Sequence, residues 1–320
     1  MGGNWTKGYR VFSRRRFLTM VGLAGAGLPF FRPVATGKPA KNESPVCIFS
    51  KHLQFLDYTA MAETAADIGF DGVDLTVRPG GHVSPENVER DLPRAVEAVR
   101  KVGLQVPMMT TAITDPGDPR TEPILNTASR LGIRYYRMGY LSYDRQAGIA
   151  ETLQAYAPRL RELAALNEKY GIHGAYQNHS GTRVGGPVWD LWELLKSIEP
   201  RGLGVQYDVR HATAEGGRSW PLGFQLLSPW IKITAIKDFY WRQENGDWGI
   251  QDCPLGQGMV DFQQYFGMVK SLPVRGPISL HFEYDLPGEE LGQRDRTEQT
   301  ARVMRRDLQT LRGMLAGAGP

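Results

Sequence analysis

Eight short apolar runs, each followed by a longer amphipathic stretch, constrain this chain more than any other feature. The strand-like runs are 46–50, 72–78, 105–111, 133–138, 173–179, 204–208, 232–237 and 277–283. The helix-like stretches fall at about 57–69, 87–102, 120–131, 148–170, 188–198, 220–229, 261–271 and 293–315. In the fourth of these, Leu153, Tyr156, Leu160, Leu163 and Leu166 recur at helical spacing on one side. Eight strand–helix units predict a single (β/α)8 TIM barrel. An open doubly wound sheet is the competing arrangement. The chain has no G-x-G-x-x-G, P-loop, HExxH or CxxC motif, which removes the simplest cofactor readings.

Residues 1–40 read differently. Ser-Arg-Arg-Arg-Phe-Leu at 13–18 precedes an apolar run from Phe17 to Phe31, and a small-residue exit follows to Ala40. Basic start, short apolar core and small-residue exit make a secretory signal, and the paired arginines are of the twin-arginine kind. The apolar run is shorter than the roughly 20 residues that span a bilayer. The expectation is therefore a protein exported to the periplasm or beyond by the twin-arginine (Tat) machinery, touching the membrane only through its signal. The barrel then occupies 41–320. The formal charge of +4 is partly the signal's own, so nothing points to nucleic acid. Two cysteines, Cys47 and Cys253, are too few for a disulfide scaffold and read as free buried thiols.

Alternation along a strand sends every second side chain to one face. Asp74, Thr76 and Arg78 fall in one phase; so do Gln177 with His179, Gln206 with Asp208, Ala235 with Lys237, and His281 with Glu283. These sets come late in their strands, where barrel active sites lie. A shared small-molecule site is predicted there.

The segments 69–83, 176–182, 204–217, 235–241, 253–262 and 276–285 together resemble the xylose isomerase-like barrels, the sugar phosphate isomerase/epimerases, whose relatives include apurinic endonucleases. Asp208-x-x-His211, and Lys237-Asp238 followed by Pro-Leu-Gly-x-Gly-x-x-Asp-Phe, carry the likeness. It implies one divalent metal held by Glu, Asp, His and Glu from strands 5 to 8, with the glutamates moving a proton beside a carbonyl. Here those positions hold Gln177, Asp208, Ala235 and His281, with Glu283 two residues on. A glutamine oxygen can ligate a metal but takes no proton at neutral pH. Gln177, Asp208 and His281, helped by His179 or Glu283, form the candidate set for Zn, Mn or a similar ion. A hydrogen-bonded core histidine is the plainer reading of His281.

Glu283 is the candidate base, Lys237 the group that neutralises a developing oxyanion, and His211 the family's substrate-contacting histidine. Arg78, His82, Arg137, His179 and Trp241 are candidate substrate contacts, and Trp189 and Trp220 could join Trp241 if all three faced one pocket. The reading is an exported sugar isomerase or epimerase acting on a sugar or keto-sugar. A non-catalytic sugar-binding barrel and a keto-glycoside lyase or hydrolase are the alternatives.

Overall fold

The computed structural model describes residues 44–272, 276–288 and 290–317. The signal expected at 1–40 lies outside them. Eight parallel strands close into a barrel. They are β1 (Val46–Phe49), β2 (Gly72–Val77), β3 (Gln105–Thr111), β4 (Tyr135–Arg137), β5 (His173–Gln177), β6 (Leu203–Asp208), β7 (Ile231–Ile236) and, after an inserted hairpin, β10 (Ile278–Leu280). The closed order is β1-β10-β7-β6-β5-β4-β3-β2. The hairpin pairs β8 (Asp238–Glu244) with β9 (Asp247–Cys253) in antiparallel register.

The helices are α1 (Tyr58–Ile68), α2 (Val88–Lys101), α3 (Thr121–Arg130), α4 (Ile149–Tyr170), α5 (Val188–Leu195), α6 (Val209–Gly216), α7 (Trp220–Leu227), α8 (Phe262–Lys270) and α9 (Gln293–Gly317). Each predicted strand and helix is present, within a few residues at its ends. Among the described residues, no helix is long and apolar enough to cross a membrane.

Strand alternation produces two apolar regions. The large one lies between sheet and helices, and holds Ile48, Leu75, Tyr136, Val205 and Leu280. A small one, Met108, Ala175 and Ile233, is built from the opposite strand faces. Asp74 and Ser279 identify the barrel interior. They belong to β2 and β10, which are separated by β1, yet Ser279 Oγ donates to Asp74 Oδ2 at 2.7 Å. That bond reaches over an intervening strand only through the lumen. Thr110 Oγ1 satisfies the other Asp74 oxygen at 2.9 Å. Burial nevertheless raises the Asp74 pKa, opposed by these hydrogen bonds. Cys47 and Cys253 are buried free thiols.

The Lys-Asp…Pro-Leu-Gly-x-Gly motif has a structural explanation. The Asp238 carboxylate accepts backbone N–H groups from Gly256 (3.0 Å) and Gly258 (2.9 Å). A Cβ at Gly258 would stand 2.2 Å from Asp238 Oδ1 and 2.4 Å from the Phe239 carbonyl, so only glycine fits. The knot ties the loop after the hairpin to the residue that follows Lys237.

Candidate active site

At the C-terminal ends of the strands lies a cavity of about 280 Å³. Phe49 and Lys51 line it from the end of β1, Arg78 from beyond β2, Arg137 and Tyr140 from β4 and its loop, and Gln177 and His179 from β5. Arg210 and His211 enter from α6, Lys237 from beyond β7, Asp252 from β9, and His281 and Glu283 from beyond β10. The in-phase polar sets of β2, β5, β7 and β10 therefore converge.

Asp208 sits beneath this lining, fully buried. Its Oδ1 caps α6 by accepting the His211 N–H at 3.1 Å, which is the physical content of Asp-x-x-His. Its Oδ2 accepts Gln177 Nε2 at 2.7 Å and stands 3.2 Å from Lys237 Nζ. Asn178, which sequence reasoning passed over, clamps β5 to β6. Its side chain donates to the Asp208 carbonyl and accepts the Asp208 N–H, at 2.9 and 2.8 Å. The remaining Gln177 oxygen accepts Arg137 Nη1 (2.9 Å) and the Tyr140 hydroxyl (2.7 Å).

These contacts test the expected metal set. A divalent ion at Gln177 and Asp208 would share its donors with an ammonium and a guanidinium, each already bonded there. Ala235 supplies no ligand, and His281 Nε2 is turned to Ser279 Oγ at 3.1 Å. Among the described residues no three His, Cys, Asp or Glu side chains converge as ligands. The donors of Gln177, Asp208 and His281 do not fit a divalent cation, because charge of that sign is already built in.

The histidines are differentiated by their partners. His179 Nδ1 lies 2.8 Å from the Ser180 carbonyl, which can only accept, so Nδ1 carries the proton and Nε2 the lone pair. His211 is the reverse. Its Nδ1 lies 2.9 Å from Arg210 Nη1, which can only donate, so the His211 proton sits on Nε2. That nitrogen is buried without a hydrogen-bond partner. The two rings lie in contact, centroids 3.9 Å apart and planes tilted by 34°. Burial, with Lys237 nearby, lowers the pKa of both, so both are neutral near pH 7. Arg210 is itself held by Asp252, its Nε donating at 2.9 Å.

Glu283 is ion-paired to Lys51 at 2.8 Å, with His281 Nδ1 3.7 Å from its other oxygen. Burial opposes its ionisation, but His281, Lys237 and His52 outweigh burial and hold its pKa far below the ordinary carboxylate range. Burial lowers the His281 pKa.

Two predicted contacts lie apart from the cavity. His82 is half-buried behind β2, where its N–H donates to Thr76 Oγ1 at 2.9 Å. Trp241 stands on the hairpin at 40% exposure, Trp189 at 57%, and Trp220 is packed in the core. The three tryptophans line no common pocket. Phe49, Lys51, Tyr140, Arg210 and Asp252 line the cavity without being expected there, and only the last left a usable signal. Alternation around Asn245-Gly246 marks a hairpin, and those two residues adopt φ values of 52° and 93°.

Fold and site together define a (β/α)8 barrel with a charged pocket of proton-carrying side chains at its C-terminal mouth. The chain belongs to the xylose isomerase-like TIM barrel family, which it matches over residues 62–307. It resembles an L-ribulose 3-epimerase structure (14% identity, 86% of this chain and 95% of that one, TM-score 0.64). It also resembles a D-allulose 3-epimerase from Methylomonas sp. in complex with D-allulose (14%, 85% and 98%, TM-score 0.59). A third likeness is to a family member from Mycobacterium smegmatis in complex with magnesium (16%, 85% and 98%, TM-score 0.59). An uncharacterized protein of Methanocaldococcus jannaschii is 25% identical over 146 residues, which are 44% of this chain and 47% of that protein.

Proposed function

We propose that this chain is a sugar isomerase or epimerase-like enzyme that moves a proton beside the carbonyl of a sugar or keto-sugar. The observation that carries it is the opposed protonation of His179 and His211 next to Lys237. His179 lines the cavity, and its unprotonated Nε2 accepts the proton from the carbon next to the carbonyl. The C–H electron pair becomes the C=C bond of an enediolate, and the carbonyl π pair moves onto oxygen. The Lys237 ammonium and the His211 Nε2–H stabilise that oxygen. Return of the proton from His179 to the neighbouring carbon, with a proton passing from one enediolate oxygen to the other, gives the isomer. The epimer forms when the same carbon takes a proton from solvent on its opposite face and His179 gives its own to solvent.

The base assigned to Glu283 in the sequence reading passes to His179. An ion-paired carboxylate of very low pKa is a poor proton acceptor, whereas a neutral imidazole is matched to the task. The epimerases among the structural neighbours support the reaction class. The twin-arginine segment at 13–18 supports a place outside the cytoplasm. The test is solvent deuterium incorporation into a panel of keto-sugars, followed by NMR. Loss of incorporation in His179→Gln and Lys237→Met is expected. Saturable sugar binding with no incorporation by the wild type would replace the enzyme reading with a binding barrel.

A further inference from the structure

Most charges lining the cavity are already neutralised in pairs. Lys51 pairs with Glu283, Arg210 with Asp252, and Lys237 with Asp208. Two guanidiniums are left over. Arg137 is 5% exposed; its Nη1 serves Tyr140 and Gln177, which are neutral, and its Nε is buried without a partner. The Arg78 side chain is half-buried and makes no hydrogen bond or ion pair among the described residues; its backbone N–H donates to the Val83 carbonyl. Its contact is with the Phe49 ring, whose centroid is 5.5 Å from the Arg78 guanidinium and 6.0 Å from that of Arg137. One phenyl ring thus supports two cations that repel each other. Burial and the charge of Arg137 lower the Arg78 pKa, and the nearby Asp74 and Glu283 carboxylates oppose the shift without bonding the guanidinium.

Asp74 and Glu283 lie near these guanidiniums but ion-pair with neither. A buried charge with no directly bonded counterion is costly, and a ligand of opposite sign would relieve that cost. From this surplus we infer that the substrate carries a carboxylate, held by Arg78 and Arg137 over Phe49: the ligand is a sugar acid, such as a uronate, an aldonate or a keto-aldonate. The planar forks of two arginines match a carboxylate. A phosphate fits less well. Barrels of this type place phosphate after strands seven and eight, and Glu283 occupies that side here. The sugar half of this inference rests on the proposed function; the anion half rests on the charges alone.

The test is calorimetric titration of the full chain with matched ligands: D-glucuronate, D-galacturonate and D-gluconate against D-glucose, D-galactose and glucose 6-phosphate. At least one sugar acid is expected to bind, and Arg78→Met is expected to weaken it by about tenfold or more, a larger loss than for the matched neutral sugar. Arg78→Lys, which keeps the charge and loses the fork, should fall between. Melting curves of each variant establish that Arg78→Met is folded. Binding confined to neutral sugars, or equal in wild type and Arg78→Met, would overturn the carboxylate while leaving the sugar reading intact. Binding of the phosphate ester alone would also overturn it. Failure of every sugar, with simple carboxylates still binding through Arg78, would remove the sugar reading and keep the anion site.

Discussion

Lys237 Nζ stands 3.2 Å from Asp208 Oδ2, with Lys237 6% exposed and Asp208 not at all. Asp208 stands where the family resemblance implies a metal-ligating aspartate, and here its Oδ2 faces an ammonium instead. Replacing Lys237 by Met strands a buried carboxylate that keeps only neutral donors, Gln177 Nε2 and the His211 N–H. Breaking such a pair costs about 3–5 kcal/mol, so Lys237→Met should melt well below the wild type. Asp208→Asn removes the charge but keeps an acceptor for the helix cap, and should be milder. If Lys237 stabilises the oxyanion, the Met variant also loses about 10²–10³-fold in kcat. Equal melting temperatures for Lys237→Met and wild type would show that the pair is not a folding element.

His179 sets a pH signature. Burial lowers its pKa from 6.5, while the Ser180 carbonyl opposes the shift by holding the Nδ1 proton. The base works only when unprotonated, so activity is full above that pKa and falls as pH drops through it. The acid limb of kcat/KM should therefore lie below 6.5 and vanish from the residual rate of His179→Gln. A limb that survives in His179→Gln, and disappears in Glu283→Gln, would return the role of base to the carboxylate.

Metal removal separates this chain from the expectation drawn from its family. Gln177 and Asp208 already carry Arg137, Tyr140 and Lys237 on the oxygens a metal would need. Dialysis against EDTA should leave activity and melting temperature unchanged, and elemental analysis of the purified protein should find no stoichiometric metal. Activity lost to EDTA and restored by Mn or Zn would mean that these side chains rearrange to bind an ion.

The barrel was legible because its signals are periodic. Apolar spacing of 3.6 and 2 residues marks helix and strand wherever one face is buried, as at Leu153, Leu160 and Leu163 or along β2. The same phase argument brought Arg78, Gln177, Lys237 and His281 to one cavity. It could not say what these side chains do there, since role depends on partners far away in sequence. Glu283 is a candidate base by residue type and phase, with Lys237 or Arg78 as the expected alternative partner; the residue it pairs with is Lys51, 232 residues earlier. The protonation of His211 depends on Arg210, an unremarkable basic residue until its guanidinium is seen to point inward. Trp241 was drawn toward the sugar by residue type alone, and the hairpin carries it outward.

Acid stability should be governed by buried neutral histidines, and His173 is the one whose contribution can be sized. It begins β5, is 8% exposed, and neither ring nitrogen has a hydrogen-bond partner. Burial pulls its pKa down from 6.5 to about 4, helped by the Lys232 charge. A pKa depressed in the folded state means that the unfolded chain binds the proton first. The stability from a neutral His173 is thus complete above pH 6.5, declines as pH falls below it, and is gone once pH passes through 4. A shift of this size corresponds to about 3 kcal/mol. His173 lies at the start of its strand, away from the C-terminal mouth and outside the cavity lining. A substitution there should therefore change the pH dependence of folding without moving the acid limb of activity. His173→Leu, an apolar side chain of similar length, should flatten the fall in urea midpoint between pH 6.5 and 4 by most of that amount and change little at pH 8. An equally steep fall in His173→Leu would assign the acid sensitivity to the buried His211 and His281 and the half-buried His52, whose pKa values desolvation also depresses.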